Sequence, residues 1–255
     1  MSGWLSVVGL GPGAPGWLTP ETAEVLAGAT DLVGYATYLD RIPPGPPGQT
    51  RHVSENRVEL DRAYQALELA RAGRRVAVVS SGDPGVFAMA AAVMEAVEAD
   101  AALYAGLDIR ISPGITAMQA AASRVGAPLG HDFCALSLSD NLKPWDLVLK
   151  RLEVAAAAGF VLALYNPVST ARPWQLGQTF DRLRRLLPGE VPVVFARAVG
   201  RTDERIGIVM LRDAKSDMAD MQSVILVGTA ETRLIPRPSG AAPFVYTPRR
   251  AAALK

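Results

Sequence analysis

Four short loops in this 255-residue chain combine residue types suited to holding a small ligand, and each follows an apolar run. The most informative is Ser80-Ser81-Gly82-Asp83-Pro84-Gly85-Val86-Phe87, between the apolar residues 76–79 and an Ala/Met-rich stretch at 88–99. Loops that leave the carboxyl ends of buried strands are where open α/β sheets bind ligands. This one offers glycines for close main-chain approach, a carboxylate and proline rigidity. The others are Pro113-Gly114-Ile115-Thr116-Ala117, Tyr165-Asn166-Pro167-Val168-Ser169 and Arg197-Ala198-Val199-Gly200-Arg201. Singly, Asp-Pro-Gly is a turn, Gly-Ile-Thr a helix cap and Asn-Pro a strand-ending turn. Their recurrence at equivalent strand ends carries more weight than any one of them.

A fifth cluster, Gly9-Leu10-Gly11-Pro12-Gly13-Ala14-Pro15-Gly16, satisfies the dinucleotide fingerprint G-x-G-x-x-G from Gly11 to Gly16, with Asp31 20 residues on. Its chemistry does not follow. In that fingerprint the helix begins inside the glycine loop, and the ribose-binding acid comes after the next strand. Here Pro15 would sit in the first helical turns, the helix-start signal is Thr19-Pro20-Glu21, and Asp31 precedes the next apolar run. The cluster reads as a ligand rim that needs no phosphate.

The elements that position these loops alternate. Strands are expected at 5–9, 31–34, 75–80 and 109–112, with helices at 20–29, 58–72 and 87–99. Gly73 stands where a helix C′ glycine belongs. Such alternation implies a mostly parallel sheet with both faces covered. The second half gives strands at 133–137, 160–165, 191–196, 206–211 and 223–228, and helices at 145–158 and 174–187. Only 11 residues separate the last two strands, which suggests that they pair antiparallel in a mixed sheet. The expected organisation is an α/β lobe over 1–115, a second α/β lobe over 116–235 and a poorly ordered, basic, proline-containing tail over 236–255.

Composition excludes several classes. There are 26 basic and 25 acidic residues, so no basic excess points to nucleic acid or a membrane surface. One cysteine, Cys134, excludes an internal disulfide framework, and two histidines, His52 and His131, make a multi-ligand zinc site a poor expectation. No apolar run reaches the roughly 20 residues of a membrane span, and the first residues run straight into a strand pattern. A cytoplasmic protein is the expectation.

Taken in order, Gly9-Leu10-Gly11-Pro12-Gly13, Gly82-Asp83-Pro84, Pro113-Gly114-Ile115-Thr116-Ala117 and Val227-Gly228-Thr229 resemble the motifs of the tetrapyrrole methylases, S-adenosylmethionine-dependent enzymes of sirohaem and cobalamin synthesis. A closer resemblance lies in 34–40, 79–86, Leu138-Ser139-Asp140-Asn141-Leu142-Lys143-Pro144-Trp145 and 165–172, which are similar to the branch acting on carbon 17 of precorrin-3B. The resemblance implies a two-lobed α/β homodimer, with a parallel-sheet lobe followed by a mixed-sheet lobe and the cofactor in the trough between them. It implies methylation of precorrin-3B at carbon 17 with ring contraction to precorrin-4, and it leaves open whether the tetrapyrrole carries cobalt. No resident metal is expected.

By family pattern, the cofactor would be lined by Pro12, Ser81, Gly82, Asp83, Val86, Thr116, Ala117, Tyr165, Asn166 and Ala198. Asp83 is expected nearest the transferred methyl group. Ring contraction needs a proton taken up or delivered, for which His131 and Asp140 are the candidates. Peripheral carboxylates of a tetrapyrrole call for cations, and Arg57, Lys143 and Arg172 lie in or near the motifs, with Tyr35 beside them.

Overall fold

Runs of Val, Leu and Ile ended by Gly, Pro or Ser make the strands, and alanine-rich stretches with three- and four-residue apolar spacing make the helices between them. The computed structural model describes residues 3–55, 58–169, 171–238 and 240–250. The chain divides into two compact units, Met1–Thr116 and Ala117–Lys255.

The first unit contains β1 (Trp4–Gly9), α1 (Pro20–Gly28), β2 (Asp31–Tyr35), α2 (Ala36–Leu39), β3 (Thr50–Ser54), α3 (Glu59–Arg71), β4 (Arg75–Ser80), α4 (Met89–Ala99), α5 (Ala101–Tyr104) and β5 (Asp108–Ser112). Its strands form one parallel sheet in the order β3-β2-β4-β1-β5. Leu5, Val7, Val33, Val76 and Val78 pack on one face against α3 and α4. Their neighbours Val8, Leu32, Ala77 and Val79 pack on the other, with Leu26 of α1 and Leu39 of α2. Covering both faces explains why these strands read as unbroken apolar runs. Each fully buried Val or Leu contributes roughly 1.5–3 kcal/mol. Because every pairing is parallel, Gly9, Tyr35, Ser54, Ser80 and Ser112 end their strands on one edge.

Asp31 lies on the opposite edge. It is 1% exposed and accepts hydrogen bonds from Arg74 Nε (2.7 Å), His52 Nε2 (2.8 Å) and Thr30 Oγ1 (2.7 Å). Burial alone would raise its pKa, but these three donors together outweigh burial and hold the carboxyl below its ordinary value. With Asp31 at the far end of the sheet, and a 3₁₀ turn (Pro15–Trp17) separating the glycine cluster from α1, the dinucleotide reading ends. Helix α1 starts at Pro20, where Thr19 Oγ1 accepts the Thr22 amide at 3.1 Å.

The second unit contains α6 (Ala117–Val125), β6 (Gly126–Ala127), β7 (Phe133–Ser137), α7 (Trp145–Ala157), β8 (Val161–Tyr165), α8 (Gln175–Leu186), β9 (Pro192–Arg197), β10 (Arg205–Met210), β11 (Ser223–Val227), β12 (Arg233–Ile235) and β13 (Phe244–Tyr246). Its main sheet has the order β10-β9-β11-β8-β7. Strands β7 and β8 are parallel, β11 runs against both β8 and β9, and β10 runs against β9. Leu152 of α7 and Leu176, Phe180 and Leu183 of α8 fill the core against Leu162, Val193, Phe195 and Ile225.

Two expectations need correction here. Strands β10 and β11 do not pair; both flank β9, because the connection between Met210 and Ser223 is long enough to pass β9 and deliver β11 to its other side. Nor is the segment after 235 a loose tail throughout. Phe244–Tyr246 pairs antiparallel with β12 and parallel with β6, burying Val245, and Thr247 Oγ1 donates to the Pro128 carbonyl at 2.7 Å.

Candidate functional site

In the first unit the strand-end loops interlock through their main chains. Gly11 and Gly82 exchange both amide–carbonyl hydrogen bonds at 3.1 Å, and Leu10 N–H donates to the Ser80 carbonyl at 2.9 Å. A Cβ on Gly114 would lie 2.3 Å from the Gly82 carbonyl oxygen, and one on Gly9 2.5 Å from the same atom. The loops after β1, β4 and β5 therefore meet where no side chain fits. Asp83 ties two of them together, with Oδ1 accepting the Gly85 amide (2.8 Å) and Oδ2 the Gly114 amide (3.0 Å). Each oxygen accepts a main-chain amide, so the carboxylate holds the two loops together.

Around this ledge Pro12 is buried, while Ser81, Gly82 and Val86 are half-buried. Tyr35, at the end of β2, packs edge-on to Tyr38 with ring centroids 5.5 Å apart. Thr116 closes the unit, 6% exposed. Arg57 lies outside the described residues. The sequence reading missed Arg41, whose guanidinium donates to the Gly11 carbonyl (3.0 Å) and to Ser81 Oγ (3.3 Å), bracing the β1 and β4 loops from one side chain. Its only signal was its place directly after the 34–40 motif.

In the second unit the carboxyl ends of β7, β8 and β9 share one edge. Ala117 opens α6, and Tyr165 Oη accepts the Met118 amide in its first turn at 3.1 Å. Asn166 Nδ2 donates to Ser137 Oγ at 2.9 Å, joining the ends of β8 and β7. Beyond β7, Asp140 pairs with Arg172. Lys143 is half-buried, and that burial, with the Arg151 charge adding to it, lowers its pKa. Beyond β9, Ala198 is 5% exposed and left-handed at φ +49°. Its loop is braced by Arg197, which donates to Asp220 (2.6 Å) and Asp203 (2.7 Å). Glu204 adds a second brace by accepting the Gly200 amide at 2.6 Å and pairing with Arg124.

His131 is elsewhere. It precedes β7 whereas Asp140 follows it, so five extended residues, about 17 Å, separate the two ends. Its Nδ1 accepts the amide of Asp132 at 2.7 Å, folding the ring onto its own chain. The structure does not bring His131 to the edge that holds Tyr165, Asn166 and Asp140. Among the described residues no His, Cys, Asp and Glu cluster could hold a metal ion, and no helix is long and apolar enough to cross a membrane.

Backbone strain is concentrated at these loops. Phe87, Asn166 and Ala198 are the non-glycine residues with positive φ among the described residues, at +52°, +52° and +49°. Each follows a strand, β4, β8 or β9. A left-handed residue with a side chain costs about 1–2 kcal/mol, and such strain collects at ligand sites.

A parallel-sheet unit is followed along the chain by a mixed-sheet unit, and each carries left-handed residues in its strand-end loops. The profile of the tetrapyrrole (corrin/porphyrin) methylases matches residues 5–215, and the chain belongs to that family. It is an S-adenosylmethionine-dependent C-methyltransferase by class. Over 249 residues it is 56% identical to the precorrin-3B C(17)-methyltransferase of a Sinorhizobium species, covering 98% of this chain and 97% of the relative. The crystal structure of the methyltransferase CobJ superposes with a TM-score of 0.92 at 55% identity, covering 97% of this chain and all of that one. The probable cobalt-factor III C(17)-methyltransferase of Salmonella typhimurium is 39% identical over 229 residues, 89% of this chain and 93% of the relative.

Proposed function

We propose that this enzyme transfers a methyl group from S-adenosylmethionine to carbon 17 of precorrin-3B and contracts the macrocycle to precorrin-4 in cobalamin biosynthesis. The observation that carries this reading is the 56% identity to a precorrin-3B C(17)-methyltransferase along almost the full length of both chains. The lower identity of the cobalt-factor III relative, 39%, favours the metal-free tetrapyrrole as substrate. The same reading expects a cytoplasmic homodimer.

The strand-end residues fit the cofactor. The Gly9 and Gly114 main chains pack against the Gly82 carbonyl where a Cβ would collide, leaving a ledge of amides, carbonyls and small side chains that a compact ligand can approach closely. When bound, S-adenosylmethionine supplies an electrophilic methyl group. The chain's task at that step is alignment, worth up to roughly 7–11 kcal/mol when geometry is near ideal. Pro12, Ser81, Gly82, Val86, Thr116, Ala117, Tyr165, Asn166 and Ala198 hold the ligand in this reading, and Asp83 fixes the ledge. Tyr165 and Asn166 act through position, since their side chains tie α6 and β7 to β8. Lys143 and Arg172 face the substrate carboxylates in this reading, and Arg57 is a further candidate from the sequence alone. Contraction requires a proton to move, and Asp140, held by Arg172, is the remaining candidate on the strand-end edge.

Incubation with precorrin-3B and S-adenosylmethionine, followed by mass spectrometry, tests the reading. A singly methylated product with stoichiometric S-adenosylhomocysteine supports it. Tight S-adenosylhomocysteine binding with no methylated product from precorrin-3B contradicts the substrate assignment.

A further inference from the structure

Three buried polar atoms within seven residues have no hydrogen-bond partner: Ser169 Oγ, Arg172 Nε and Gln175 Nε2. Among the described residues only one other buried side-chain atom, Thr22 Oγ1, is in that state. Native proteins leave few such groups, so a cluster of them calls for a partner such as a water, an ion or a ligand. All three atoms can donate. An antiparallel bridge pairs Ser169 with Arg172, and the Arg172 amide donates to the Ser169 carbonyl at 3.0 Å. Gln175, only 2% exposed, is the first residue of the 12-residue helix α8. That helix starts without a side-chain cap and without an acidic residue in its first turn. Its leading amides and the positive end of its dipole favour an anion at the same corner. An uncapped helix start, a guanidinium edge, a buried amide N–H and a hydroxyl thus offer several donors within seven residues, complementary to a carboxylate.

We propose that this corner is a subsite for one peripheral carboxylate of the tetrapyrrole, with Asp140 as its resident counter-ion. The proposal rests on the function inferred above and deepens it. Asp140 occupies the Nη1 side of Arg172, and each side chain of the pair is about one-fifth exposed. Arrival of a substrate carboxylate exchanges one anion for another on the same guanidinium and satisfies the orphaned Nε, Nε2 and Oγ.

Equilibrium binding is measured for two polycarboxylate tetrapyrroles, precorrin-3B and uroporphyrin III, and for uroporphyrin III with its carboxylates esterified. Wild-type protein should bind the acids and discriminate against the ester. Arg172→Gln should weaken binding of the acids about tenfold to a hundredfold, as expected for a lost charge-assisted bond, and Gln175→Leu and Ser169→Ala about threefold to tenfold, with S-adenosylhomocysteine affinity unchanged. Asp140→Asn should tighten binding of the acids, because it removes the competing carboxylate. A corner filled by water alone predicts otherwise: lower melting temperatures, no change in tetrapyrrole affinity and no tightening in Asp140→Asn. That pattern overturns the proposal. Should Gln175→Leu fail to fold, Ser169→Ala and Asp140→Asn still carry the test through their opposite signs. Uroporphyrin III reports on the subsite even if precorrin-3B is not the substrate, so failure of the two readings is distinguishable.

Discussion

Gly114 shows most directly what the strand-end ledge demands of single residues. A methyl group there would press to 2.3 Å from the Gly82 carbonyl oxygen, a main-chain atom that cannot swing aside. Gly114→Ala should cost about 2–3 kcal/mol of stability, the upper range for overpacking, and weaken S-adenosylhomocysteine binding, read by calorimetry. The two proton-transfer candidates separate at this scale as well. His131→Ala should leave turnover of precorrin-3B unchanged, because His131 sits at the wrong end of β7. Asp140→Asn should slow formation of the contracted product by about 10²-fold or more, the usual weight of a positioned acid or base, while S-adenosylhomocysteine still binds. Product analysis after single turnover checks both. Asp83 stood out in the sequence by its strand-end loop, but its hydrogen bonds did not. Its bond to the Gly114 amide spans 31 residues and depends on β4 and β5 both flanking β1, an order that the local pattern does not encode.

Among the elements, the strands and helices with long apolar runs were readable, because both faces of the first sheet are covered and the second core is filled by α7 and α8. The elements that escaped were short or polar. Strand β3, Thr50–Ser54, lies at an exposed sheet edge with no apolar run to betray it, and β6, β12 and β13 are two or three residues long, defined only by partners distant in sequence. The β10–β11 pairing failed because loop length limits reach without choosing a neighbour. The separation of His131 from Asp140 was in principle readable from the strand at 133–137, which lies between them. The buried Asp31 cluster gives an element-level prediction at the far edge of the first sheet. Its carboxyl titrates lower when folded than the ordinary 3.8. The protein therefore holds the benefit of that ionised group above about pH 4 and loses it as pH falls through the folded value. Asp31→Asn should cost about 2 kcal/mol near neutral pH and flatten the fall in stability on acidification, measured by urea denaturation from pH 7 down to pH 3.

For the whole molecule, the parallel sheet of the first unit, the mixed sheet of the second and the family profile over 5–215 describe one kind of enzyme. Ligand linkage gives a global readout. S-adenosylhomocysteine at about 100 times its Kd should stabilise the folded protein by about 2.7 kcal/mol and raise the melting temperature measurably. NADH at the same concentration should not, since Asp31 and the glycine cluster lie at opposite edges of their sheet. The central claim, however, concerns where the methyl group goes. Precorrin-3B is incubated with S-adenosylmethionine labelled with carbon-13 in its methyl group, and the product is read by carbon NMR. The label is expected on carbon 17 of a ring-contracted macrocycle. Label at any other carbon, or on a macrocycle of unchanged ring size, would contradict it.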